Sequence, residues 1–280
     1  MSDIVRVAAI QMNPRIGEKS ANVARSLELI EIAARKTAKI AVLPELCNSG
    51  YVFDSREEAV SLSEHVPLGS TTQQWISKAK NDDLYIIAGI NERDGDSLFN
   101  TAVLLGPSGY LGKYRKIHLW DREKLFFSPG NLGLPTFETD FGKIGLMICY
   151  DGWHPETIRI HALHNVDIVC NPTCWVVVPG VISERNPISP WIHASQANMN
   201  NLFVVCADRV GQERGVTFLG HSCIASPSGF LSGPASFENE EIVIGDVDVS
   251  IARTKNWTNL ANPISDRRTD LYDVTLGYKM

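Results

Sequence analysis

The sequence predicts an α/β fold, a mixed β-sheet with helices packed outside it. Three observations carry the prediction. Short apolar runs alternate along the chain with stretches whose apolar residues recur at helical spacing. Two hairpin signals interrupt that alternation, at Gly106-Pro107-Ser108-Gly109 and Ser226-Pro227-Ser228-Gly229. No Gly/Ser/Pro-rich linker divides the 280 residues, so the chain reads as a single domain over residues 1–280.

The elements follow in order. Ile4–Gln11 is an apolar run stopped by Asn13-Pro14, which reads as a buried strand. Over Glu18–Thr37 the residues Val23, Leu27, Ile30 and Ala34 share one face, which predicts a helix. Ile40–Leu43 is a second short strand, Thr71–Ala79 a helix and Leu84–Ile90 a buried strand. Thr101–Leu105 and Tyr110–Lys113 flank the first hairpin turn. Lys143–Cys149 is a strand. Pro155–His164 is a helix with Ile158, Ala162 and Leu163 on its inner side, and Asp167–Cys170 is a strand. Pro190–Asn200 reads as a helix and Leu202–Ala207 as a strand. Ser222–Ala225 and Phe230–Leu231 flank the second hairpin turn, and Glu241–Asp248 is the last strand. Two hairpins of like sequence in the two halves suggest an internal repeat. From about residue 256 the tail is polar, with little core-forming pattern, and is expected to wrap the body or a partner subunit.

Composition excludes several function classes. Hydrophobic residues make up 44% and charged residues 21%, values of an ordinary globular chain. The net charge is −6, and the densest basic stretch, Lys113-Tyr114-Arg115-Lys116, is short, which argues against nucleic acid as the partner. No run of about 18 apolar residues exists to span a membrane. The start shows no signal-peptide pattern. Six scattered cysteines without such a signal predict reduced thiols and a cytoplasmic location.

Three apolar runs each deliver a reactive residue at or just past their C-terminal ends. Ile40–Leu43 leads to Glu45, the strand from Tyr110 leads to Lys116, and the strand from Lys143 leads to Cys149. Ligands of α/β sheets sit at the carboxyl ends of strands, so the three are expected to converge. A thiol attacks an acyl carbon as the thiolate, so a base must take its proton. Glu45, in a semi-apolar setting, is the candidate base. Lys116, with the backbone N–H of Tyr150, is the candidate oxyanion donor. A cation beside Cys149 also lowers the thiol pKa. Taken singly, each residue has an ordinary reading: a buried cysteine, a solvated glutamate, a surface lysine.

The segments LPELCNSGY (43–51), YRKIHLW followed by REKLFFSPG (114–130) and MICYDGWHPE (147–156) resemble the nitrilase, or carbon–nitrogen hydrolase, superfamily. The resemblance runs over nearly the whole chain. It implies a four-layer αββα sandwich with two central mixed sheets, no metal and no organic cofactor. It also implies a small-molecule amide-type substrate and pairing into a homodimer or higher homo-oligomer. Glu45, Lys116 and Cys149 match the family's catalytic positions. Glu123 matches its second glutamate, which positions the lysine and contacts the substrate amide; a surface charge paired with Arg122 or Lys124 is the plain alternative. Tyr51, His118, Tyr150, Trp153 and Trp175 are the candidate substrate-binding residues, with His118 expected to bond Glu45 or nearby backbone, or to pack.

The residues after Cys149 bear on the branch. Nitrilases of the family usually carry Trp-Glu there, whereas here Tyr150-Asp151-Gly152 follows, which looks more like the amidase and carbamoyl-hydrolase branches. Trp153 and His154 stand where carbamoylases carry more arginines or histidines. The expectation is therefore hydrolysis of a small primary amide to acid and ammonia through a Cys149 thioester. An N-carbamoyl amidohydrolase, with Arg185 or Arg209 holding a carboxylate, and a nitrilase remain the alternatives.

Rival classes have less to stand on. His161, His164, Cys170 and Cys174 have zinc-compatible spacing but fall on a helix and a strand that need not converge. Gly220-His221-Ser222-Cys223-Ile224 lacks the second glycine of a serine nucleophile elbow. A non-catalytic binding protein would be expected to have lost the triad, and here all three members are present.

Overall fold

The structure, a computed structural model, describes residues 3–183, 187–272 and 275–277. The first half of the chain supplies β1 (Ile4–Gln11), β2 (Ile40–Val42), β3 (Tyr85–Asp94), β4 (Ser97–Gly106) and β5 (Gly109–Arg115). The second half supplies β6 (Thr136–Thr139), β7 (Gly142–Leu146), β8 (Ile168–Pro172), β9 (Phe203–Ala207), a short pair β10 (Gln212–Glu213) and β11 (Val216–Thr217), β12 (Cys223–Ser226), β13 (Gly229–Ser232) and β14 (Glu241–Asp248). Two six-stranded sheets result, with orders β14-β1-β2-β3-β4-β5 and β13-β12-β9-β8-β7-β6. Both are mixed. The trios β1–β2–β3 and β7–β8–β9 are parallel, and antiparallel neighbours flank each.

Strand alternation explains why the central runs are continuously apolar. Along β1, Val5, Val7 and Ala9 join a core shared with the second sheet, including Val204, Val205 and Ile224. Ala8 and Ile10 point the other way. They meet Leu29, Ile30 and Ala33 of the helix Lys19–Arg35, and Trp75 and Ala79 of the helix Ser70–Asp82. Trp75 Nε1–H also donates to Ser26 Oγ at 2.8 Å, tying these two helices together. The helices Pro155–Leu163 and Ile188–Asn200 cover the second sheet, with Ile158, Ala162, Ala194 and Ala197 in its core. The layers are αββα, as the resemblance implies.

The internal repeat is visible in the topology. Both hairpins, β4–β5 and β12–β13, slip register at the equivalent step: Leu104 pairs with Gly112 and Leu105 with Tyr110, while Ile224 pairs with Ser232 and Ala225 with Phe230. The glycines closing the two turns, Gly109 and Gly229, have φ of 117° and 119°, a region that other residues rarely enter.

Three expectations need correction. Leu163 is 42% exposed, and His161 occupies the inner face instead, bonded through Nε2 to Leu146 O at 3.0 Å. Burial pushes the His161 imidazole down to about 4. The strand expected to end at Cys149 stops at Leu146, and Cys149 opens a one-turn 3-10 helix, Cys149–Trp153. A helix at Arg56–Leu62 and the strand β6 are present where no element was expected. From residue 256 onward the described tail consists of turns and a short helix, Thr269–Tyr272, with Trp257, Leu260 and Leu271 exposed.

Candidate active site

Three loops at the carboxyl ends of β2, β5 and β7 meet at one end of the two sheets. After β2 the chain crosses toward the second sheet, where Glu45 N–H donates to Thr173 O at 3.3 Å. The crossing passes tightly over β3: a Cβ on Gly89 would lie 2.5 Å from Glu45 Cα, so that position admits only hydrogen. Lys116 directly follows β5. Its N–H donates to Asn100 O at 2.8 Å, and its carbonyl accepts from Gly130 N–H at 2.8 Å. Cys149 has φ 47°, a conformation costly for a residue with a side chain. Asn171 secures it, its Oδ1 accepting the Cys149 N–H at 2.7 Å.

The side chains form a buried chain of charges. Lys116 Nζ donates to Glu45 Oε1 at 2.7 Å and to Glu123 Oε1 at 2.7 Å. Asn100 Nδ2 donates to the same Glu45 oxygen at 2.6 Å, and Glu45 Oε2 is buried with no hydrogen-bond partner among the described residues. Tyr51 O–H donates to Glu123 Oε1 at 2.5 Å, and Trp120 N–H donates to Glu123 Oε2 at 3.1 Å. Glu123 is thus buried against Lys116, not a surface charge paired with Arg122 or Lys124.

The electrostatics follow from this arrangement. Burial opposes the Lys116 ammonium, but Glu123 and Glu45 outweigh it and hold its pKa above the ordinary lysine value. Glu123 is pushed up to about 7, by burial first and by Glu45, against the pull of Lys116. The Cys149 thiol is raised above its ordinary value, by burial and by the Glu45 charge, with Lys116 opposing. Lys116 does pull the thiol pKa down, as expected of a neighbouring cation, but burial and the Glu45 charge outweigh it, and Cys149 is held toward the thiol form.

Asp151 joins the lysine loop to the cysteine turn. Its Oδ2 accepts from Tyr114 O–H at 2.7 Å and from Ile148 N–H at 2.9 Å. Its Oδ1 accepts from His118 N–H at 3.0 Å and faces His118 Nδ1 at 2.8 Å. His118 therefore serves Asp151 and not Glu45, and its ring stacks on His154 at 3.6 Å. Asp151 and Glu123 play one local role. Each is the third residue of a one-turn helix, and each reaches back to the N–H of the residue before it.

Two cavities share the walls Trp120, Val176 and Val178. The wider cleft, about 640 Å³, runs past Tyr51 and Glu123; the narrower one, about 240 Å³, is lined by Cys149, Tyr150, Trp153 and Trp175. All the candidate site residues except Glu45, Lys116 and His118 line one or the other, and the first two of those sit just beneath.

The family model for carbon–nitrogen hydrolases matches residues 6–256. The chain belongs to the carbon–nitrogen hydrolase family. It is an enzyme that acts on non-peptide carbon–nitrogen bonds. A nitrilase of Pyrococcus abyssi is 41% identical over 96% of this chain and 99% of its own length. An omega-amidase of Homo sapiens is 33% identical over 97% and 98%, and an N-carbamoylputrescine amidase of Solanum lycopersicum is 31% identical over 98% and 95%. Among solved structures, an amidase from Nesterenkonia sp. in complex with acrylamide superposes with a TM-score of 0.79, at 20% identity, covering 98% of each chain.

In this carbon–nitrogen hydrolase the residue chemistry alone did not reveal Asn100, Asn171 or the bridging part of Asp151. The Asp had a signal, an acid three residues into a helical turn; the two asparagines lie inside strands with none. Arg209 does not face the cavities. It is buried, bonded to Glu213 at 3.0 Å and stacked 3.9 Å over Phe218. Arg185 lies outside the described residues. Among the described residues no cluster of three or more His, Cys, Asp or Glu could hold a metal, and His161 and Cys174 are engaged with Leu146 O and Glu45 O. Ser222 is buried, and its Oγ accepts the Asp208 N–H at 2.8 Å.

Proposed function

We propose that the enzyme hydrolyses a small primary amide to a carboxylic acid and ammonia through a thioester on Cys149. The carrying observation is the Lys116 ammonium held between Glu45 and Glu123 beside Cys149, with Glu45 Oε2 lacking a partner. That oxygen is the base. It takes the Cys149 Sγ proton as sulfur attacks the amide carbon, which matches a nucleophile that rests as a thiol. The carbonyl oxygen becomes an oxyanion, stabilised by Lys116 Nζ and the Tyr150 N–H. Glu45 returns the proton to nitrogen, ammonia leaves, and the acyl group remains on sulfur. Water then gives its proton to Glu45 and attacks the thioester. The acid departs as Cys149 recovers a proton.

Glu123 keeps Lys116 in place and accepts from the amide nitrogen. Tyr51 fixes Glu123, His118 acts through Asp151, and Tyr150, Trp153 and Trp175 wall the acyl group. A relative named omega-amidase supports the reading, while one named N-carbamoylputrescine amidase favours the carbamoyl alternative. The relative named nitrilase, at 41% identity, favours nitrile hydrolysis at the same residues as the second reading. Ammonia release from primary amides, N-carbamoyl compounds and nitriles, each with wild type and Cys149→Ala, separates them. Cys149-dependent release from amides supports the proposal; release from nitriles or carbamoyl compounds alone overturns it.

The enzyme is further proposed to be a cytoplasmic homodimer or higher homo-oligomer built as a single domain. Support comes from six free, buried cysteines and from exposed Ile160, Leu163 and Met199 beside the tail residues Tyr272 and Leu276. Among the described residues no helix is long and apolar enough to cross a membrane.

A further inference from the structure

On the amidase reading above, on which the inference rests, the acyl group carried by Cys149 lies in the narrower cavity, which that residue lines. Its volume of about 240 Å³ falls below the ~300–1,000 Å³ usual for drug-sized ligands. Its lining includes Trp120, Tyr150, Trp153, Val178 and Ile182, and among the described residues no charged side chain lines it. Among the described residues nothing there would offset the desolvation of an acyl group carrying a carboxylate or an ammonium.

Two polar groups interrupt this apolar wall. Ser189 and Trp175 are 0% and 3% exposed, and both line the cavity. Ser189 Oγ and Trp175 Nε1 are each buried with no hydrogen-bond partner among the described residues. A buried donor left unpaired is costly, so a wall that keeps two is matched to a ligand that completes them. Both are also held in place. His193 Nδ1 bonds Ser189 O at 2.7 Å, and its ring packs 5.1 Å from that of Trp175. His193 Nε2 meets Asn171 Nδ2 at 3.0 Å, and Asn171 Oδ1 accepts the Cys149 N–H. One hydrogen-bonded chain thus runs from the nucleophile to the acyl wall.

We propose that this cavity selects short, uncharged, largely apolar acyl groups bearing one hydrogen-bond acceptor, which Trp175 Nε1 and Ser189 Oγ read. The test is calorimetric binding to Cys149→Ala protein, which reads the cavity without turnover. The probes are pentanamide, beta- and gamma-hydroxybutanamide, succinamate and gamma-aminobutanamide. Succinamate and the aminobutanamide should bind at least ~tenfold more weakly than pentanamide. One of the hydroxylated amides should bind about three- to tenfold more tightly than pentanamide. Adding Trp175→Phe or Ser189→Ala should erase that advantage, so that within each variant the hydroxylated amide binds no more tightly than pentanamide, since each substitution removes one polar group from the wall.

A charged amide that binds as well as pentanamide overturns the proposal. So does a hydroxyl preference that is absent, or that survives both substitutions. Ammonia release by wild type from the same compounds is scored separately. Selective binding without release would sink the amidase reading and leave the cavity assignment standing. Release without the predicted selectivity would do the reverse.

Discussion

At the residue scale the site is a balance of three charges in a dry setting. Lys116 holds two carboxylates, and its removal would leave both buried without their cation while also removing the proposed oxyanion donor. Lys116→Ala is expected to lower kcat by at least ~10²–10³, the loss typical of one oxyanion donor. A steady-state assay showing less than a tenfold loss would make the lysine peripheral. The protonation of Glu123 sets a pH dependence. Burial and Glu45 push it up to about 7, so below that pH it is neutral and its attraction for Lys116 is lost. kcat/KM is expected to rise with pH through neutrality. In Glu123→Gln, which cannot ionise, this limb should vanish on a lower plateau. A wild-type profile flat through neutral pH would contradict the assignment.

Thiol labelling follows from the same balance. Cys149 lines a cavity, so iodoacetamide should label it before Cys47, Cys170, Cys206 and Cys223; its thiol is held protonated, so the rate should climb steeply above neutral pH. Peptide mapping at several pH values checks both the order and the slope.

At the scale of elements, function depends on how three loops are fastened. The sequence makes the loops' origins legible, because each apolar run ends just before its reactive residue. It does not show the fastening. Asp151 is readable as a motif residue, yet its four contacts come from Tyr114, Ile148 and His118, two of them distant in sequence. Asn100 and Asn171 sit in β4 and β8, where local pattern assigns no role to an amide. The helix Arg56–Leu62 does leave a trace, since Ser55 caps it and Glu58 follows three residues later. Periodicity does not find it, because so short a segment shows little apolar repeat.

Asp151→Ala is expected to cost at least ~2 kcal/mol in urea unfolding, because it strands several buried donors, and to cut activity by loosening Cys149 from Lys116. Gly89→Ala should also impair both. Its Cβ would lie 2.5 Å from Glu45 Cα, so the strand or Glu45 must move. Wild-type activity in Gly89→Ala would show that Glu45 tolerates displacement.

At the scale of the molecule, two copies of one pattern build the scaffold: a parallel trio of strands extended by a bulged hairpin. Matching turns, Gly-Pro-Ser-Gly and Ser-Pro-Ser-Gly, make the repeat readable in the sequence. The division into two sheets comes from the family resemblance and not from periodicity, because strands buried on both faces carry no mark of which layer they face. The same blindness places Leu163 inside and leaves His161 unassigned to the core. Arg209, open as a carboxylate holder in the sequence, is the buried partner of Glu213, which in turn accepts the N–H groups of Tyr51 and Val52. It therefore supports the loop carrying Tyr51.

The central claim is that the acyl group passes through Cys149 sulfur. Rapid-quench intact mass spectrometry with a turned-over primary amide tests this most directly. The account predicts a transient adduct of acyl-group mass on the peptide containing Cys149, lost as the acid appears, and neither adduct nor ammonia from a folded Cys149→Ala variant. Amide hydrolysis by Cys149→Ala at the wild-type rate, with no adduct on the wild type, would contradict it.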